Sequence, residues 1–214
     1  SLGLGSDWSF EEKFIIKKNS IQIVFYDHTI NLIFWIKLFL QTLYYFIRYQ
    51  SSPKNLFKYF NYVTFFNNKN TEHKKFKISP KTDFKKNTIS LNKILKKEKN
   101  NLLLKIDIEG DEYKILYQII KYQKIINCLI IEFHKVDKNL NKIKNFLRKM
   151  KNFENCNISP NNAFGFDKNN DPYVFEIVLI NKKFVNKKDY NNDIYLRSLP
   201  NNPYKKSFNI SFKK

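Results

Sequence analysis

Four carboxylates fall within six residues, Asp107-Ile108-Glu109-Gly110-Asp111-Glu112, directly after the mostly apolar Leu102-Leu103-Leu104-Lys105-Ile106. If the strand persists, alternation puts Asp107 and Glu109 on one side. Like charges this close raise one pKa, which suits a proton acceptor. Four acids could also bind a divalent metal; the reading adopted here assigns none. Asp111 and Glu112 also fit as acids at a helix N-terminus, where the dipole favours them. That does not account for Asp107, on the strand side of Gly110. A second group, Glu132-Phe133-His134, ends the most apolar run of the chain. A histidine at the carboxyl end of a strand is a candidate general base, although many such histidines are structural. Asp107 and His134 are therefore the catalytic candidates. His73, in a lysine-rich stretch, is expected in solvent.

The chain has only four glycines, and Gly3, Gly5 and Gly110 sit in these short motifs. Glycine is kept where φ must be positive or where backbone approaches a ligand. In Gly3-x-Gly5, a dinucleotide fingerprint would need a third glycine at position 8, which is Trp8. There is no Gly-Lys-Ser/Thr either, so a P-loop is excluded. What remains is a glycine turn beside an uncharged or zwitterionic ligand segment, or an ordinary strand-to-helix turn. Asp27 follows Gly5 by 22 residues at a strand end. An acid at about that distance can accept from both hydroxyls of a ribose, and its charge strengthens the bonds. A surface strand-end Asp is the plainer alternative. His28 next to it is expected exposed.

These residues need a frame. Asp7 to Lys17 reads as a helix, with Phe10, Phe14 and Ile15 at helical spacing. Ile21 to Tyr26 reads as a buried strand. Ile30 to Tyr49 is apolar on nearly all sides, broken by Lys37 and Gln41. It is expected to be a buried or lid helix rather than a membrane contact. Strands are expected at Tyr59 to Phe66 and Lys74 to Ile78, with loops at 67–72 and 79–88. Ser90 to Lys97 should be a short helix capped by Ser90. Then come strand Leu102 to Asp107, helix Asp111 to Tyr122, strand Ile125 to Phe133, helix Leu140 to Met150, strand Phe153 to Ile158 and strand Tyr173 to Ile180. Alternating strands and helices predict an α/β fold with a mostly parallel sheet covered on both faces. The last two strands, joined without a helix, predict an antiparallel pair at one edge. Gly3, Gly5, Asp27, Asp107 and His134 all fall at carboxyl ends of strands, where open α/β sheets bind ligands.

Composition narrows the classes. Hydrophobic residues make up 43% and aromatics 17%, so the chain can bury a core and general disorder is excluded. The net charge of +20 suggests nucleic acid or anionic membrane. However, the only arginines are Arg48, Arg148 and Arg197. Lysine, asparagine and isoleucine abundance reads as AT-rich coding, and base readers favour Arg. No specific nucleic-acid partner is expected; an acidic substrate such as an anionic glycan could still be attracted. Cys128 and Cys156 make no disulfide framework and no zinc motif. With no signal peptide visible, a reducing cytoplasm is the expected location. Because the chain opens on a glycine motif without Met, the N-terminal strand is expected to be truncated.

At the two motifs the sequence resembles the FkbM-type methyltransferases, a branch of the class I S-adenosylmethionine-dependent superfamily. The resemblance is carried by Leu104-Lys-Ile-Asp-Ile-Glu-Gly-Asp-Glu112 with Ile115-Leu116, by Thr88-Ile-Ser-Leu before it, and by Ile130-Ile-Glu-Phe-His134 after it. Ser1-Leu-Gly-Leu-Gly-Ser-Asp-Trp8 and Phe25-Tyr-Asp-His-Thr29 resemble the first blocks of one subgroup; Asn161-Asn162 and Glu176 also look familiar. The resemblance implies a Rossmann-like class I fold over residues 1–180; the apolar helix near 30–50 departs from the family and reads as an insertion, and 181–214 as a C-terminal extension. It implies that Gly3 and Gly5 line the methionine part of S-adenosylmethionine, that Asp27 holds its ribose, and that Asp107 and Glu109 sit beside the transferable methyl group. The expected activity is methyl transfer to a hydroxyl of a glycan or small-molecule acceptor. The alternatives are a non-catalytic binding module of the same fold and a membrane-surface protein using residues 30–50.

Overall fold

The computed structural model describes residues 1–17, 20–48, 53–99, 101–161, 163–168 and 171–185. The C-terminal extension expected at 181–214 lies largely outside these residues, as does Asn162. The described residues gather into two compact units: Ser1–Ile78 with Asp83–Thr88, and Ser79–Thr82 with the described residues from Ile89 onward.

In the first unit, α1 (Ser9–Lys17) leads into β1 (Ile23–Tyr26), then α2 (Leu32–Ile47), a 3-10 turn (Pro53–Phe57), α3 (Lys58–Phe66) and β2 (Thr71–Lys74). β1 pairs in parallel with β2, Phe25 opposite His73. On its other side Leu2 forms a parallel bridge to Tyr26. The core gathers Leu4, Trp8, Ile15, Phe25, Ile30, Trp35 and Phe65. Trp8, standing where a third glycine would be, packs against Tyr62 and Phe65.

Two expectations change here. Tyr59 to Phe66 is helix, not strand. Its Tyr, Phe, Val and Thr content favours a pleated surface. However, Tyr62 and Phe66, four apart, meet at 4.7 Å and both pack on the core, as helical spacing requires. Helix α2 is present, capped by Asn31 Oδ1 accepting from Phe34 N, but it is not buried. Only Trp35 and Thr42 are, while Leu32 is 71% and Ile47 66% exposed. Among the described residues no helix is long and apolar enough to cross a membrane.

The expected strand at Lys74 to Ile78 is instead two pieces, the end of β2 and β3 (Lys77–Ser79), which pairs with β4 (Thr88–Ser90). Ser90 then caps α4 (Leu91–Leu95), its Oγ accepting from Lys93 N as expected. In the second unit follow β5 (Leu102–Ile106), a 3-10 turn (Glu112–Lys114), α5 (Leu116–Lys121), β6 (Ile126–His134), α6 (Val136–Lys149), β7 (Phe153–Pro160) and β8 (Val174–Asn181). The sheet order is β5-β6-β8-β7. β5 and β6 are parallel; β8 runs antiparallel to both β6 and β7, giving the expected antiparallel edge. The fold is mixed α/β. Among the described residues the strands form short separate sheets, and the four-stranded one has one parallel and two antiparallel pairings, rather than one mostly parallel sheet.

The larger sheet separates apolar from polar chemistry by simple alternation. Leu129, Ile131 and Phe133 of β6 are fully buried, and Phe133 meets Phe146 of α6 and Phe175 of β8. The alternate residues Ile130, Glu132 and His134 share the opposite face. Register places Lys105 beside Ile130, and Glu176 directly opposite Glu132.

Candidate functional site

Asp107 follows the last residue of β5, and Glu132 and His134 stand two apart on the neighbouring β6. One ligand atom from each lies within 4.8 Å of the other two. His134 is 6% exposed. Its Nε2 is 3.8 Å from Asp107 Oδ1 and 3.5 Å from Glu109 Oε2. These are ion-pair distances, too long for hydrogen bonds. Asp107 Oδ1 is buried with no hydrogen-bond partner.

The turn that carries Asp107 is unusual in its backbone. Glu109 has φ +54° and Gly110 φ +100°. A non-glycine residue in the left-handed region is uncommon and gathers at functional sites. Fully buried Glu112 holds this turn to the end of β6. Its Oε2 accepts from Gly110 N at 2.8 Å and its Oε1 from His134 N at 2.7 Å. The same Oε1 faces His134 Nδ1 at 3.4 Å. Carboxylates only accept and they flank both ring nitrogens, so the surroundings favour the imidazolium, with a proton on each. Tyr113 Oη donates to His134 O at 2.6 Å, fixing the strand end from the other side.

The electrostatics follow from crowding. Burial pushes the Glu132 carboxyl up to about 7, Asp107 and Glu176 adding repulsion, although the Asn161 amide and His134 pull it down. Asn161 Nδ2 donates to Glu132 Oε1 at 2.8 Å. Burial also raises Glu176, with Lys105 opposing and Asp107 adding. Burial alone would lower the His134 imidazole. The Glu112 carboxylate, followed by Glu132 and Glu109, outweighs it and raises the pKa.

The first unit presents the opposite condition. Gly3 (φ +85°) and Gly5 (φ +58°) form the turn after Leu2. Asp27, just beyond β1, is buried and fully engaged. Its Oδ2 accepts from Leu4 N at 2.8 Å and Gly5 N at 3.4 Å. Its Oδ1 accepts from Thr29 N at 2.7 Å and Thr29 Oγ1 at 2.6 Å. Burial would raise this carboxyl, but the Thr29 hydroxyl and the Leu4, Thr29 and Gly5 amides outweigh it and hold it below the ordinary value. A Cβ at Gly5 would meet nothing within 4 Å, so the loop's outer side is open. His28 is exposed as expected. His73 is not: it stands on β2, half-buried, with Nε2 2.9 Å from Asp27 O and Nδ1 2.6 Å from Tyr62 Oη. The carbonyl can only accept, so Nε2 carries the proton and Nδ1 accepts from Tyr62.

The family model described as Methyltransferase FkbM domain matches residues 17–157, more than half of the chain. The chain belongs to the FkbM methyltransferase family. Comparison with curated proteins and with solved structures gives no match. The FkbM match takes in Asp27, Asp107, Glu109, Glu132 and His134 and begins after Gly3 and Gly5. Within the FkbM region the structure brings Asp107, Glu109 and His134 together, as their strand-end positions suggested. Glu132 was missed as a site residue, although its i, i+2 relation to His134 was visible in the strand. Glu112 was missed because an acid at a helix start has a sufficient local explanation.

Proposed function

We propose that this chain is an S-adenosylmethionine-dependent O-methyltransferase acting on a hydroxyl of a glycan or small-molecule acceptor, on a Rossmann-like class I fold. The observation that carries it is the FkbM match over the residues that build the acidic cluster. In the first unit Gly3 and Gly5 would take the methionine part of the donor, and Asp27 its ribose. The open side of Gly5 fits a ligand that approaches backbone closely. Asp27 already accepts four hydrogen bonds, so its primary action is to hold the loop in shape, and a ribose hydroxyl must replace one of those donors. By the family resemblance alone, Asp107 and Glu109 would serve the methyl end. Asp107 and His134 are the groups placed to take the acceptor's proton. Bound there, the donor supplies a methyl group on a positively charged sulfur, open to in-line attack. The chain's own contribution is alignment and a site for the proton.

Calorimetric titration with S-adenosylhomocysteine tests the donor assignment. Saturable binding is expected in wild type, weakened at least ten-fold in Gly5→Ala, where the added methyl occupies the open side. A folded wild type without binding would sink the reading and leave a non-catalytic module.

One observation favours a second reading. The exposed apolar face of α2, with Leu32, Ile36, Phe39 and Leu40, sits on a chain of net charge +20. Such a face suits peripheral attachment to an anionic membrane. Flotation with phosphatidylserine vesicles, reduced in Ile36→Ser with Leu40→Ser, is the expected result; no flotation removes it.

A further inference from the structure

We propose that Asp107, Glu132 and His134 form a binding site for a first-row divalent metal ion, with His134 Nε2 and one carboxylate oxygen from each acid as ligands. The topology supplies the convergence. Parallel pairing sets the end of β5 beside β6, and the i, i+2 spacing turns Glu132 and His134 to the same face. Ligand atoms of all three then lie within 4.8 Å of one another. Metal bonds of about 2.0–2.2 Å place two ligands of one ion at most roughly 4.4 Å apart. Closure by a few tenths of an ångström would complete the site.

The unpartnered atoms point the same way. His134 is more than nine-tenths buried; its Nδ1 has no hydrogen-bond partner, and its Nε2 faces Asp107 at 3.8 Å and Glu109 at 3.5 Å. Buried Asp107 Oδ1 has no donor. Buried polar atoms are normally satisfied, and those that are not call for an explanation such as an ion. The outer partners complete the pattern. A metal-bound histidine usually turns its second ring nitrogen to a carboxylate. Here Nδ1 faces Glu112 Oε1 at 3.4 Å, and Glu112 is itself fixed by two backbone amides. Asn161 fixes Glu132 and leaves that carboxylate further lone pairs.

The ligand set chooses the ion. An imidazole with two carboxylates suits Mn²⁺, Fe²⁺, Co²⁺ or Zn²⁺ better than Mg²⁺ or Ca²⁺, which prefer all-oxygen shells. Three protein ligands leave coordination positions open to an oxygen of another molecule. For one consequence this inference rests on the methyltransferase reading: an acceptor hydroxyl on the ion would lose its proton to solvent water at a lowered pKa. Asp107 and His134 would then act as ligands rather than as the base. The binding itself stands on the cluster alone.

The test is titration of the full chain with Mn²⁺ alone, read by loss of the free-ion paramagnetic resonance signal. S-adenosylhomocysteine calorimetry is run on the same samples. One saturable Mn²⁺ site is expected, displaced by Zn²⁺ and not by equimolar Mg²⁺, and weakened at least ten-fold in Glu132→Gln and in Asp107→Asn. Absence of saturable binding in wild type overturns the proposal, and needs no variant to fold. Binding unchanged in whichever variant folds also overturns it. Mn²⁺ binding without S-adenosylhomocysteine binding keeps the metal site and removes the donor reading; the reverse keeps the donor reading and removes the metal site.

Discussion

Asp27 and Asp107 both end a parallel strand, yet they stand in opposite conditions. Asp27 is surrounded by four donors, and its pKa is held down. Asp107 has a buried oxygen with no donor, and its neighbours are Glu109, Glu132 and a histidine at ion-pair distance. A satisfied carboxylate organises the backbone that donates to it. A carboxylate oxygen buried without a donor carries a desolvation cost, and such an atom calls for an explanation such as a catalytic role or an ion. The first unit therefore shapes a loop, and the second concentrates reactive charge.

The strongest way to break this contrast is activity. Asp107→Asn should lower methyl transfer by about 100-fold or more, the scale of a lost proton acceptor or ligand. Retained turnover, measured once an acceptor is in hand, would end its catalytic assignment. Asp27→Ala should instead act on stability. It leaves the Leu4 and Thr29 amides without their acceptor, at about 1–3 kcal/mol, read as a lower urea midpoint at unchanged slope. Gly110→Ala sharpens the picture of the turn that follows Asp107. A Cβ there would come only to 3.7 Å of the Lys135 Nζ, so space is adequate and the φ of +100° is the obstacle. A loss of about 1–3 kcal/mol is expected; a neutral result would show that the turn relaxes freely.

The smallest effect concerns pH. Burial lowers the His73 pKa against the pull of the Asp27 carbonyl and carboxylate. The unfolded imidazole takes a proton near its ordinary value of about 6.5, and the folded one only at lower pH. Unfolding then takes up a proton in that window. The stability that neutral His73 contributes is complete above about 6.5 and falls as pH drops toward the folded value. His73→Gln should flatten this slope in pH-dependent melts. Asp27, with its depressed pKa, adds a loss only further down, below its ordinary carboxylate range.

Much of the second unit was legible in the sequence because its signals are local. The apolar runs of β5 and β6, the Ser90 cap and the glycine after Glu109 each state their structure within a few residues. Trp8 was legible as an exclusion, and the structure gives it a core to fill. The failures share a cause. Residues 58–66 carry β-type side chains that pack at helical spacing, because the first unit's core decides the matter. The α2 sequence shows its hydrophobicity but not that so little covers it. Glu112 binds His134 across 22 residues of sequence, and His73 reaches Asp27 across 46. No window of periodicity contains such pairs.

Thermal unfolding of Asp27→Asn beside Asp107→Asn, in one buffer free of divalent metal, tests the contrast most directly. The account predicts a lower melting temperature for Asp27→Asn, because an amide cannot accept all four donors. It predicts an unchanged or higher one for Asp107→Asn, because its buried oxygen has no donor to lose. A destabilised Asp107→Asn beside an unaffected Asp27→Asn would contradict it.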